Sequence, residues 1–500
     1  VNHLIDESFV SLPLQRLGQS AIERAQTLGA TYAAFRIERI KSLHLGMRDA
    51  ILVTSANQED FGMSLRVLLD GTWGFAAIGE LSQKNALLIA DQAIEAATIS
   101  RPLTGDFVEL QSEPIYRESQ YVSSYEIDPW QINDREKSDL LTVWSGQLLN
   151  HAIVDHVEAQ ALFVKECTYY QDSFGTSTTQ QRIRLHPSFT AYAVSESGME
   201  SMRTIAPPVG RGYEYLTGAH WDWAAELAEL PELLVERTKA KSVQANTYDL
   251  VIHPSNLWLT IHESIGHATE LDRALGYEAA YAGTSFATFD KLGTLQYGSK
   301  LMNVTGDRDV EHGLATVGWD HEGVAAQSWN LVRDGILVGY QLDRQMASQK
   351  GFLRSNGCAF ADSSMHVPVQ RMANVSLAPK PDGGDTNDLI GDVEDGLYVV
   401  GDKSWSIDMQ RFNFQFTAQR FYRIKNGKLG EMVKDAAYTS TTTDFWGSMK
   451  DVGGRQTWEL QGAFNCGKAQ PGQIAPVSHG APSARFERVR VLNTVEEAGR

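Results

Sequence analysis

The chain has 500 residues, of which 42% are hydrophobic and 21% charged, and its formal net charge is −18. That length exceeds what one ordinary core holds, so two domains of a soluble globular protein are expected. The acidic excess argues against nucleic acid or an anionic membrane as partner, and no stretch approaches the ~20 apolar residues of a membrane helix.

Val1 to Glu7 has neither the basic nor the apolar region of a secretory signal. Cysteines at 167, 358 and 466 are odd in number and far apart, which is no disulfide framework. A cytoplasmic location is therefore expected. Leu14, Leu17, Ala21, Ile22, Ala25 and Leu28 recur at helical spacing, with Gly29 to end the helix. Two strands are expected at Tyr32–Arg39 and Lys41–Arg48. Met63–Leu69 and Thr72–Ala77 flank Asp70-Gly71, a strong hairpin signal. Ser82 is placed to cap a helix running to about Thr98. This pattern predicts helices packed on an antiparallel sheet, an α+β arrangement.

Arg101 to Pro129 is polar and broken by proline. A helix is expected from Asp134 to about Val154, then strands at Glu158–Thr168 and Thr179–Glu196. After the irregular Pro207-Pro208-Val209-Gly210, a polar-faced helix over Trp221–Lys241 marks the domain boundary. Residues 1–241 are expected to form the N-terminal domain, and residues 242–500 the second. Beyond that helix, short apolar runs alternate with turn pairs such as Asp334-Gly335, Asp395-Gly396 and Asn426-Gly427. A mostly antiparallel sheet bent into a sandwich or barrel is expected there.

Tyr248–His253 reads as a buried strand stopped by Pro254, with Ser255 or Asn256 as N-cap of the helix that follows. On that helix lies His262-Glu263-Ser264-Ile265-Gly266-His267. Two imidazoles and a carboxylate are the parts of a zinc hydrolase: neutral nitrogen ligands and a base for water. The usual spacing is H-E-x-x-H, which puts both histidines on one face of a helix. One extra residue leaves the rings ~140° apart in a regular helix. A π-type bulge brings them back to within ~50°. The spacing is thus either incidental or the mark of a distorted metal helix, with Gly266 the cheapest place to distort. A helix among Leu257, Trp258, Ile261 and Ile265 does not bury two histidines and a glutamate without partners.

A hydrolytic zinc takes three protein ligands and leaves a position for water. By type, His312, His321, His366, His479, Cys358, Cys466 and many carboxylates could supply the third. Cys466 sits in a glycine-flanked loop, Asn465-Cys466-Gly467-Lys468; Cys167 and Cys358 default to structural roles. His312, His321 and Lys468 are open as oxyanion stabilisers. Arg371 and Asn374 have no assigned task. Ser406–Arg411 reads as β structure, His253 as a strand-end histidine, Trp221 and Trp223 as core. Gly210-Arg211-Gly212 has too little pattern for a phosphate loop.

The six-residue motif, Gly210–Glu214, Pro368–Asn374 and Asn465–Lys468 together resemble the TldD/PmbA family, in its TldD branch. The resemblance spans nearly the whole chain. It implies a zinc metallopeptidase with an N-terminal α/β-type domain and a β-rich C-terminal domain that carries one metal helix. It also implies His262, His267 and Cys466 as metal ligands, Glu263 as general base, and a heterodimer with a PmbA/TldE-like subunit (a homodimer is the alternative). Peptide precursors or flexible antitoxins are the substrates that the resemblance suggests. The rival readings are a non-catalytic PmbA-like binding subunit, and a zinc amidase acting on a small molecule. Substrate, bond preference and native metal are left open.

Overall fold

The computed structural model describes residues 3–105, 107–195, 198–468 and 472–499. In the N-terminal half, strands β1 (Tyr32–Arg48), β2 (Ile51–Leu69), β3 (Thr72–Ile78), β4 (Ser119–Val122), β5 (His156–Asp172), β6 (Ser177–Ser195) and β7 (Gly198–Arg203) form one sheet. Its order is β3-β2-β1-β5-β6-β4, with β7 also on β6; all pairs are antiparallel except β4–β6.

The two strands expected between Tyr32 and Arg48 are one. Nothing near Ile40 can turn the chain, whereas Asp49 and Ala50 both take positive φ (51° and 62°) and close the hairpin to β2. Two positive-φ residues in a two-residue loop match the twist of the flanking strands. The Asp70-Gly71 hairpin forms as expected.

Helices Leu14–Thr27 and Gln83–Ser100 cover one part of the sheet with Leu17, Ala21, Ile89 and Ala93. Ser82 caps the second, accepting from the Asn85 N–H. The fit is close: a Cβ on Gly74 of β3 would lie 1.9 Å from the Ala93 carbonyl oxygen. Helices Asp134–Leu149 and Trp223–Lys239 cover another part, and Trp223 at the start of the second is buried in the core between them and the sheet. The expected strand end at Glu196 lies outside the described residues.

In the C-terminal half, strands Asn246–Ile252, Asp395–Ile407, Asn413–Lys425, Ala436–Thr441 and Ala484–Asn493 close into a five-stranded barrel. Only the pairing of Asn246–Ile252 with Asp395–Ile407 is parallel. The expected α+β class, with a β-rich second half, is what is found. Asp395-Gly396 opens a barrel strand instead of making a turn. Asn426 and Gly427, both at positive φ, do turn the chain. The core of this half is built from residues between Val243 and Val491, separate from the clusters of the first half. Among the described residues no helix is long and apolar enough to cross a membrane.

The helix Pro254–Ile261 leaves the first barrel strand directly and packs on Asp395–Ile407 and on the hairpin of Glu459–Lys468 with Gln473–Ala481. Its N-cap is His253, not Ser255 or Asn256. The His253 ring accepts from the Ser255 N–H, and Pro254 takes the first helical position. Proline suits that position because its missing N–H would have had no helical partner.

Candidate metal centre

Past Ile261 the helix widens. His262–Gly266 is a π-turn, and His267–Thr269 tightens into a 3-10 turn. The His267 N–H bonds the His262 carbonyl, five residues back. The wider turn brings the two rings to one side, with centroids 4.7 Å apart. Buried side chains take up the backbone groups that the distortion exposes. Gln341 donates to the Gly266 carbonyl at 2.6 Å, and the Tyr297 hydroxyl donates to the Ser264 carbonyl. Gly266 itself has an ordinary helical φ of −52°. Its missing Cβ serves another purpose, since a Cβ there would sit 2.5 Å from Met372 Sδ.

Cys466 arrives from the facing hairpin, beyond a register shift between Ala463 and Cys466. Arg371 holds that strand pair by donating to the carbonyls of Cys466 (2.5 Å) and Gln473 (3.1 Å). Asn374 is likewise structural: it accepts from the N–H groups of Ala315 and Ser478. One ligand atom each from His262, His267 and Cys466 lies within 4.8 Å of the others, and all three residues are buried. His267 Nε2 and Cys466 Sγ are 3.6 Å apart. Tetrahedral zinc with ~2.1 Å nitrogen and ~2.3 Å sulfur bonds separates such donors by ~3.6 Å. The residues fit a zinc ion.

Electrostatics favour the same use. Burial pushes the His262 and His267 pKa values down, which keeps the rings neutral. Burial alone would raise the Cys466 thiol, but the charge that His267 carries when protonated and the Arg371 guanidinium outweigh it, and the net direction is down. Metal ligation requires neutral imidazole and thiolate. His267 Nδ1 is 2.8 Å from Glu270 Oε2. A carboxylate oxygen accepts, so the proton sits on Nδ1 and the Nε2 lone pair faces Cys466.

Glu263 lies on the same turn, 5% exposed. Arg411 donates to its Oε2 from Nη1 at 2.7 Å. Ser406–Arg411 thus contributes more than β structure: Arg411 stands at the turn after the strand, at φ +61°. A strained non-glycine arginine next to a motif glutamate is a site signal that no sequence spacing reveals.

The other proposed ligands and oxyanion stabilisers are engaged elsewhere. Lys468 Nζ is 2.6 Å from Asp272 Oδ2 and donates to the Gln370 carbonyl at 2.5 Å. His312 Nδ1 pairs with the Gly210 carbonyl, and His366 Nδ1 with Asp362. Cys167 and Cys358 are buried, and desolvation raises both thiols to about 12.

His321 belongs to a second buried group, with Glu38 and Glu166. Its Nδ1 is 3.1 Å from the Ala361 N–H and 2.9 Å from Arg36 Nη1, both donors. Nε2 therefore carries the hydrogen, and this cluster does not fit a metal.

The family model for the PmbA/TldA metallopeptidase C-terminal domain matches residues 245–493, and that for domain 1 matches residues 33–97. The chain belongs to the TldD/PmbA family. It is 26% identical over 470 residues to a metalloprotease of Methanothermobacter thermautotrophicus, covering 93% of this chain and 96% of that one. A zinc metalloprotease TldD homolog of Saccharolobus solfataricus is 21% identical, with 94% and 98% covered. The fold is also that of TldE from Thermococcus kodakarensis, with a TM-score of 0.72 at 14% identity over 95% of this chain and 99% of that one. The chain is an enzyme of the metallopeptidase class, as the TldD/PmbA domains and metalloprotease relatives show.

Proposed function

We propose that this TldD/PmbA chain is a zinc peptidase acting on small or unfolded peptides, with His262, His267 and Cys466 as ligands and Glu263 as general base. The observation that carries the reading is the 3.6 Å separation of His267 Nε2 and Cys466 Sγ, with Glu263 on the same π-turn. Bound zinc supplies Lewis acidity, which acidifies a water and polarises a peptide carbonyl. Glu263 takes one proton from the attacking water and returns it to the amine nitrogen as the C–N bond breaks. Arg411 holds the Glu263 carboxylate in place for both transfers.

The intact His262, Glu263 and His267 favour this over a supporting PmbA-like subunit, which needs none of them. The metalloprotease relatives favour a peptide bond over that of a small amide. A heterodimer with a TldE-like subunit, a cytoplasmic location and the division into residues 1–241 and 242–500 belong to the same proposal. The separate cores of the two halves support the division.

Elemental analysis of the purified chain tests the metal, with peptide cleavage measured before and after chelation. About one zinc per chain is expected, as three-ligand sites hold. Cys466→Ser should lose most of it, because a hydroxyl is a far poorer zinc ligand than a thiolate. Undiminished zinc in Cys466→Ser would move the third ligand elsewhere.

A further inference from the structure

His479 joins no ligand set, yet it is fully buried against the metal turn. Its Nδ1 is 2.8 Å from the Val375 carbonyl oxygen, and its Nε2 is 2.7 Å from His262 Nδ1. We infer that His479 is the positioning residue that fixes the tautomer of His262 and so turns the His262 Nε2 lone pair toward the metal. The inference rests on the zinc reading above.

The proton order follows from the partners. A carbonyl oxygen only accepts, so His479 Nδ1 carries the hydrogen. A neutral His479 then has its lone pair on Nε2, which can only accept. His262 Nδ1 must be the donor, which leaves the lone pair on His262 Nε2. Reversing His479 would set its N–H against His262 Nδ1 and place a hydrogen where the metal belongs. The ring is held in this orientation by the Val375 carbonyl at Nδ1 and by stacking on Trp258, with 13° between the planes. The two ligand histidines are therefore held by different chemistry, His267 by the Glu270 carboxylate and His262 by a neutral imidazole. Such outer partners commonly set metal affinity by 10–100-fold.

Two substitutions separate this role from plain packing. Asparagine mimics Nδ1 and keeps the tie to Val375 but does not reach His262. Glutamine mimics Nε2 and keeps an acceptor for the His262 Nδ1–H but lets Val375 go. The measurements are zinc affinity by chelator competition, the visible spectrum of the cobalt-substituted full chain, and thermal unfolding of the metal-free protein.

His479→Asn should lose about 10–100-fold in zinc affinity and show an altered cobalt spectrum. His479→Gln should stay near wild type in both. The metal-free melting temperatures need not follow that order. Affinities that track the melting temperatures, with Asn at or above Gln, would overturn the assignment while leaving the zinc reading intact. A wild-type chain that binds neither zinc nor cobalt would overturn both.

Discussion

At Glu263 two requirements meet: the carboxylate must be free to take a proton, and it must be held still in a buried site. Arg411 provides the second by donating to Oε2 at 2.7 Å. Glu263→Ala would therefore test two things at once, since it also strands a guanidinium that is only 15% exposed. Glu263→Gln keeps an oxygen that can accept from Arg411 but cannot take up the proton of water. That variant should retain zinc and its fold, and lose at least ~100-fold in peptide turnover, the scale of general acid–base help. Zinc content and single-substrate kinetics on the same preparation check it. Retained turnover would take Glu263 out of the mechanism, and lost zinc would make it a ligand.

The π-turn is the element on which the site depends. Gly266→Ala brings a Cβ to 2.5 Å from Met372 Sδ, the far part of a flexible but buried side chain. Overpacking of this kind costs about 1–3 kcal/mol, so the variant should melt lower while still binding zinc. Shortening the neighbour should recover part of the loss, and the double variant Gly266→Ala with Met372→Ala should couple non-additively in a thermal-melt cycle. Additive losses would show that Met372 does not set the penalty. Deleting Ile265 restores H-E-x-x-H in letters only. It rotates everything beyond it by ~100°, removes the Ile265 carbonyl to which Thr269 donates, and moves the Gly266 carbonyl away from Gln341. Zinc binding should be abolished, a larger loss than Gly266→Ala causes; a deletion variant with full zinc would contradict the geometry.

The widened turn was legible because the helical period is fixed, and one surplus residue between two histidines has few remedies. The cap was misread because Ser255 and Asn256 are ordinary N-caps by type. The chain is already helical at Pro254, and the capping acceptor is the His253 ring, a residue type that is no ordinary N-cap. Strand lengths failed for a related reason. β1 carries no turn residue between Arg39 and Lys41, and a short apolar run looks the same whether it stops or continues. Arg411 and His479 reach the site from 148 and 217 residues away, and no periodicity relates such positions.

Over the whole molecule, the N-terminal sheet meets the C-terminal half through buried charge. Glu38 on β1, wholly buried, has no hydrogen-bond partner for either oxygen. Arg36 Nε stands 3.6 Å from it, His321 Nε2 lies 3.6 Å away, and Glu166, Asp60 and Arg182 also act on it. Burial outweighs Arg36 and, with Glu166 and Asp60, pushes the Glu38 carboxyl up. Glu166 goes the other way: burial would raise it, but Arg182 and Arg184 hold it ionised. A carboxyl whose folded pKa lies above its unfolded value binds its proton more tightly when folded. Its contribution is complete below the ordinary glutamate range and is lost as pH rises through the raised value. Wild type should therefore lose stability relative to Glu38→Gln as pH rises from about 5 to about 8, where the Glu38 carboxyl titrates in the fold, by at most ~1.4 kcal/mol per pH unit. Paired denaturation curves across that range read the difference directly. A gap between the two proteins that does not change with pH would mean that Glu38 is ionised throughout, its charge already met by Arg36 and the arginines beyond.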